Sequence, residues 1–228
     1  MKNKHWQDVL DYANGIRDGT IRVNRERKQA VERFFRDLEN PAYYIDHKAP
    51  EFCIGIIENT LYHQQGEALD GTPLRGSPFK LLPFQKFIIY NLVGFMLTGT
   101  SIVRFHEAMI YMPRKNGKTS FVAALAWSLS LWYRKSGAKV YITSAALMQS
   151  LESFNFLNYN IKRMGEDKKD GGHVHIIDNN NEHSFSGNLA DGSFFIRALA
   201  ANPDAQDSLN CNIAIADRLL SQPSGMAA

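Results

Sequence analysis

The sequence predicts an α/β fold, in which a parallel sheet is flanked by helices and preceded by a helical N-terminal region. From about residue 80, short apolar runs alternate with longer stretches of helical periodicity, a pattern typical of strands that are buried on both faces. The 228 residues, 44% of them hydrophobic and 21% charged, are enough to bury such a core. This composition excludes a disordered tail and a coiled coil, and the two cysteines exclude a disulfide framework.

Residues 1–80 are predicted to form the helical region. Val9 and Ala13 belong to an apolar series with three- and four-residue spacing, which indicates a first helix. Asn24 is a suitable N-cap for a second helix, whose apolar stripe includes Phe34. A further helix is predicted over 51–63 and a loop rich in glycine and proline over 66–78.

Residues 81–217 are predicted to form the α/β core, and residues 218–228 an irregular tail. Helices and strands alternate here, as they must where parallel strands are joined by crossover helices. The predicted strands cover 107–112, 139–143, 173–178, 183–186, 193–199 and 212–217, and the predicted helices cover 83–97, 118–133 and 147–164.

Positive charge is concentrated between residues 101 and 140. The whole chain has a net charge of only +3, yet this segment carries seven basic residues against the single acid Glu107. Such a segment favours ligands that carry phosphate. The basic residues are Arg104, Arg114, Lys115, Lys118, Arg134, Lys135 and Lys139.

A turn with the composition of a phosphate-binding loop lies inside this basic segment, between a predicted strand and a predicted helix. Gly117 allows backbone N–H groups to close around phosphate oxygens at a helix N-terminus. Lys118 supplies a positive charge for the outer phosphates, and Thr119 supplies a hydroxyl for Mg²⁺. The motif G-x-x-x-x-G-K-[ST] is incomplete, because Met112 stands at the position of its first glycine.

Residues 113–119, Pro-Arg-Lys-Asn-Gly-Lys-Thr, resemble the variant Walker A motif of phage terminase large subunits, the ATPases that pump DNA into procapsids. In that family the first glycine is often missing and a basic residue early in the loop is characteristic. The resemblance implies ATP and Mg²⁺ as ligands, with Arg114 at the γ-phosphate and Lys118 as the second catalytic residue. The implied nucleotide-binding residues of the loop are Pro113, Arg114, Lys115, Asn116, Gly117, Lys118 and Thr119.

Residues 82–87, Leu-Pro-Phe-Gln-Lys-Phe, resemble the Q motif of the same family. The resemblance implies that Gln85 recognises adenine through its side-chain amide, which can donate and accept a hydrogen bond at once.

Residues 207–217 resemble the Walker B strand and its lead-in. An apolar strand that ends in Asp217 places a carboxylate at the carboxyl edge of the sheet, where it can hold Mg²⁺ through water. The family continues with a glutamate that acts as general base, whereas this chain continues with Arg218. The resemblance therefore implies weak or no turnover, and we expect these 228 residues to lack a nuclease domain like that of the family.

The function implied by the resemblance is that of the motor part of a terminase large subunit, which powers the packaging of double-stranded viral DNA into procapsids. The implied partners are double-stranded DNA, the portal protein, the small terminase subunit and further copies of the chain in a ring. No membrane partner is expected, because the longest uncharged stretch has only 17 residues, and the expected location is the cytoplasm of the host cell. Another P-loop ATPase of helicase-like type, or a non-catalytic remnant that binds nucleotide, remains as an alternative.

Overall fold

The computed structural model describes residues 3–68, 70–113, 116–200 and 210–217. The chain forms two compact units, one of Met1–Asn59 with Lys80–Tyr111 and one of Thr60–Phe79 with Met112–Ala228. The segment Lys80–Tyr111 packs with the N-terminal helices in this division, whereas the predicted boundary between the helical region and the α/β core lies between residues 80 and 81. Its packing explains this, because Lys86 forms an ion pair with Asp8 of the first helix.

The first unit is mainly helical, as the sequence predicts. Phe34 is completely buried at its centre, and its ring contacts those of Trp6 and Phe95. The predicted N-cap is confirmed, since the Asn24 side chain accepts a hydrogen bond from the Arg27 N–H at 3.1 Å. The elements are α1 (Lys4–Arg17), α2 (Arg25–Glu39), β1 (Tyr43–Ile45), α3 (Lys48–Thr60), α4 (Pro83–Val93) and β2 (Phe95–Leu97), with β1 and β2 antiparallel.

The second unit contains a five-stranded sheet with the strand order β4-β5-β6-β3-β7. Two helices cover one face of it: Trp127 of the first helix contacts Phe194, and Phe154 of the second stacks on Phe185 at 4.5 Å. The elements are α5 (Lys118–Trp132), β3 (Ala138–Ser144), α6 (Leu147–Arg163), β4 (Val174–Asp178), β5 (His183–Leu189), β6 (Gly192–Ala200) and β7 (Ile213–Asp217).

The α/β class is confirmed, but the sheet is mixed rather than wholly parallel. Strand β3 is parallel to both β6 and β7, whereas β5 is antiparallel to both β4 and β6. The reason is the length of the connections. Only residues 179–182 join β4 to β5 and only 190–191 join β5 to β6, which is enough for a hairpin but far too short for a parallel crossover.

The strand predicted over 107–112 is absent. These residues are described, but they form no strand, and no described strand pairs with them. Met109 and Tyr111 are 91% and 81% exposed, so the apolar side chains that suggested a buried strand lie in solvent. Apolar composition alone does not make a strand, because an extended segment also needs a neighbour for its backbone hydrogen bonds.

None of the described helices is long and apolar enough to cross a membrane.

Candidate functional site

Helix α5 begins without a capping side chain at its N-cap position. Its N-cap is Gly117, which has a left-handed backbone conformation with φ of 69° and has no side chain to accept a hydrogen bond. The N-cap position therefore contributes no side-chain hydrogen bond to the first turn of α5. The N–H groups of a first helical turn carry partial positive charge and attract anions. The start of α5 is therefore suited to an anionic ligand such as a phosphate group.

Lys118 and Asp217 come together at this helix start. Lys118 is the first residue of α5 and Asp217 the last residue of β7, and their Nζ and Oδ1 atoms lie 2.7 Å apart. Asp217 is only 3% exposed, so its carboxylate depends on this positive charge. The two residues are almost a hundred positions apart in the sequence, and the fold makes them neighbours.

The Asp217 carboxylate retains unused hydrogen-bonding capacity. Its Oδ2 atom is buried and has no hydrogen-bond partner among the described residues. A buried carboxylate oxygen without a partner is costly, and a cation or a water held by a cation would satisfy it. Thr119, half-buried in the first turn of α5, places a hydroxyl one residue from Lys118. Oxygen donors of this kind fit Mg²⁺.

The loop before α5 is described only in part. The Asn116 side chain donates a hydrogen bond to the Pro113 carbonyl oxygen at 3.3 Å. The predicted site residues Arg114 and Lys115, the position Arg218 and the beginning of the lead-in to β7 lie outside the described residues.

Gln85 has a structural task at the start of α4. It is 4% exposed, and its Oε1 atom accepts a hydrogen bond from the Leu82 N–H at 2.8 Å. Gln85 is the third residue of the helix and Pro83 the first, an arrangement typical of a capped helix start. The sequence Leu-Pro-Phe-Gln contains this capping signal, which the sequence analysis did not use.

Asn212 is a positioning residue that the sequence analysis missed. Its Oδ1 accepts a hydrogen bond from the Lys139 N–H at 2.7 Å, and its own N–H donates to the Lys139 carbonyl oxygen at 3.0 Å. These two bonds join the beginning of β7 to the beginning of β3. Because the register set there continues along both strands, Asn212 helps to place Asp217 opposite Ser144. An asparagine just before an apolar run was the available signal.

Comparisons with known proteins point to one family. Residues 83–227 match the family model "Terminase large subunit, ATPase domain". The fold is similar to that in the crystal structure of the HK97 bacteriophage large terminase, with a TM-score of 0.51 and 20% sequence identity over 73% of this chain. The match covers 30% of the HK97 chain, so this chain spans less than a third of that protein's length. No curated protein sequence matches the chain.

Proposed function

This chain belongs to the terminase large subunit family through its ATPase domain, and on that premise we propose that it binds Mg·ATP between the start of α5 and the end of β7. The observation that carries the proposal is the 2.7 Å contact between Lys118 and the buried Asp217. It brings a lysine for phosphate and a carboxylate for the metal to one point, next to a helix N-terminus without a side-chain cap.

Each residue of this site has a distinct part in binding. The backbone at Gly117 lets phosphate oxygens approach the N–H groups of the first turn. Lys118 exchanges its contact with Asp217 for one with the outer phosphates, and Thr119 supplies a hydroxyl to Mg²⁺. Asp217 would hold a water bound to the metal, and the metal would supply positive charge to offset both the carboxylate and the phosphates.

The remaining predicted residues complete the nucleotide site as part of the same proposal. Arg114 contacts the γ-phosphate, and Pro113, Lys115 and Asn116 form the loop around the phosphates. Gln85 contacts the adenine with the part of its amide that is not engaged with Leu82. These roles rest on the resemblance of the motifs to those of the family.

Hydrolysis is proposed to be slow. A guanidinium at position 218 cannot accept a proton from the attacking water, and a general base contributes roughly 10²–10⁴-fold to such reactions. This arginine also favours the second candidate function, a protein that binds nucleotide without turning it over. Replacing Arg218→Glu is expected to raise the rate if the site is otherwise competent.

The wider function proposed is that of the family, a motor that powers the packaging of double-stranded DNA into viral procapsids. The proposed partners are double-stranded DNA, a portal protein, a small terminase subunit and further copies of this chain in a ring, in the cytoplasm of the host cell. Stimulation of ATP hydrolysis by double-stranded DNA in Arg218→Glu would support the motor. A rate that does not respond to DNA would favour another kind of P-loop ATPase.

The test of the binding site is Lys118→Ala, with a fluorescent ATP analogue titrated in the presence of Mg²⁺. Loss of the lysine removes a charged contact with phosphate, and we expect the affinity to fall about 10- to 100-fold. The matched control is Lys139→Ala, which removes an exposed lysine of the same basic segment. Thermal unfolding of both variants is followed in parallel, because Lys118→Ala leaves Asp217 buried without its partner. An unchanged affinity in a folded Lys118→Ala variant would refute the assignment.

A further inference from the structure

Ser144 is a buried hydroxyl residue at the carboxyl edge of the sheet and is not among the residues proposed to bind Mg·ATP. It is the last residue of β3 and is only 1% exposed. Its Oγ atom has no hydrogen-bond partner in the part of the chain that the structure describes. Buried hydroxyl groups are normally hydrogen-bonded, so an unpartnered one at the end of a strand needs an explanation.

The strand register places Ser144 directly beside Asp217. Strands β3 and β7 are parallel, and Ser144 is paired with Asp217 at their carboxyl ends. Neighbouring strands lie about 4.8 Å apart, and side chains at paired positions project from the same face of the sheet. Lys118 of α5 contacts Asp217, so this is the face on which α5 begins. The Ser144 hydroxyl therefore lies on the same face and at the same edge as the Asp217 carboxylate.

The rest of the two strands supports this assignment of the face. Val140 and Ile142 precede Ser144 at two-residue spacing, and both are buried. They are paired with Ile213 and Ile215 of β7. The apolar pairs form the covered face of the sheet, and at its carboxyl edge the pattern changes to a polar pair. Two polar side chains, each with an unused acceptor, end a face that is otherwise apolar.

We propose that the Ser144 hydroxyl is a member of the magnesium site, an inference that rests on the proposed binding of Mg·ATP. A water held by the metal has two O–H groups to donate, and two acceptors stand side by side here, Asp217 Oδ2 and Ser144 Oγ. Asp217 supplies charge, and Ser144 fixes the orientation of the shared water. Ser144 is in this sense a positioning residue that acts through the water and not on the phosphates.

The experiment compares nucleotide affinity with Mg²⁺ and with excess EDTA, using a fluorescent ATP analogue. In Ser144→Ala we expect the gain in affinity that Mg²⁺ provides to shrink about tenfold, with the affinity in EDTA unchanged. Ser144→Thr keeps the hydroxyl and is expected to retain the gain. The matched control is Ser153→Ala, which removes another buried, unpartnered hydroxyl, from α6 rather than from the sheet edge.

Ser144→Cys is a second variant for the same experiment, to be used if Ser144→Ala does not fold. It nearly preserves the volume of the side chain but replaces the hydroxyl with a poor hydrogen-bonding group, so the same loss of the Mg²⁺ effect is expected. An unchanged Mg²⁺ effect in Ser144→Ala and Ser144→Cys would overturn the inference and leave the proposed function intact. Equal weakening with and without Mg²⁺ would also overturn it, because that result indicates a structural role. Failure of Lys118→Ala to weaken ATP binding would instead remove the proposed function itself.

Discussion

Helices α4 and α5 differ in how the unpaired backbone N–H groups at their starts are accommodated. Every helix begins with N–H groups that lack partners within the helix. At α4, Pro83 has no N–H to satisfy, and Gln85 folds back to accept a hydrogen bond from Leu82. At α5, Gly117 has no side chain to act as a cap. The first helix start is completed by its own residues, whereas the N-cap residue of the second offers no side chain, which is why we propose a phosphate ligand there.

The surroundings of the two helix starts extend the contrast. Lys86 in the first turns of α4 is buried and forms ion pairs with Asp8 at 2.6 Å and Glu58 at 3.3 Å. Among the described residues, Lys118 at α5 forms one ion pair, with Asp217, and the Asp217 carboxylate itself keeps an unsatisfied oxygen. A lysine that forms ion pairs with two carboxylates has a structural task. A lysine that contacts one carboxylate at an uncapped helix start can exchange that contact for one with a phosphate.

Among the variants that test this contrast between helix starts, Gly117→Ala is expected to have the largest effect. A Cβ at this left-handed position strains the backbone and, in the proposed site, would hinder the approach of phosphate oxygens, so we expect nucleotide affinity to fall at least about tenfold. The matched control is Gly137→Ala, whose φ of 72° carries the same kind of strain at the end of a short 3₁₀ helix. Both variants should lose roughly 1–2 kcal/mol of stability, but only Gly117→Ala should lose affinity in the fluorescence titration. Similar affinities for the two variants would mean that α5 does not begin at the ligand.

A smaller effect is expected for Gln85→Ala, which removes the cap of α4. The expected cost is about 1 kcal/mol, or a decrease in Tm of about 2–4 °C. Gln85→Glu keeps the acceptor for Leu82 and should remain close to the original Tm, while it loses the amide donor. If Gln85 also contacts adenine, the glutamate variant binds ATP more weakly relative to GTP than the unmodified chain does. An unchanged ratio of the two affinities would restrict Gln85 to its capping role.

At neutral pH the smallest effect is expected from the titration of His5, whose imidazole lies near the start of α4. Burial lowers the pKa of His5 below its usual 6.5, and the nearby Lys86 ammonium, 3.3 Å from His5 Nδ1, lowers it further. The unfolded chain therefore binds more protons than the folded chain once the pH falls below about 6.5. Stability should decrease from about pH 7.5 towards pH 5, by at most about 1.4 kcal/mol per pH unit for this group.

Urea unfolding at several pH values measures this dependence, and His5→Gln should make the slope shallower. Burial also lowers the pKa of His47 and of His63, so a residual slope of the same sign is expected in the variant. A slope that does not change in His5→Gln would mean that the imidazole of His5 takes no part in it.

Local signals in the sequence predicted the structural features that depend on residues close together in the chain. The N-cap Asn24, the alternation of helix and strand and the Gly117-Lys118-Thr119 sequence at the start of α5 depend on residues within one or two helical turns. The resemblance of the motifs also predicted the family, which the match over residues 83–227 confirms. The roles of the site residues remain predictions, since they depend on a bound nucleotide.

The sequence alone determined the α/β class, the helix starts and the family, because periodicity, capping residues and turn chemistry are encoded over a few consecutive positions. Only the tertiary structure decided the directions of β4 and β5, the absence of a strand over 107–112, the burial of Gln85 as a cap and the pairing of Ser144 with Asp217. Each of these depends on which distant segment becomes a neighbour. A strand needs a partner for its hydrogen bonds and a buried side chain needs a surrounding core, and neither partner nor core is specified by the adjacent residues.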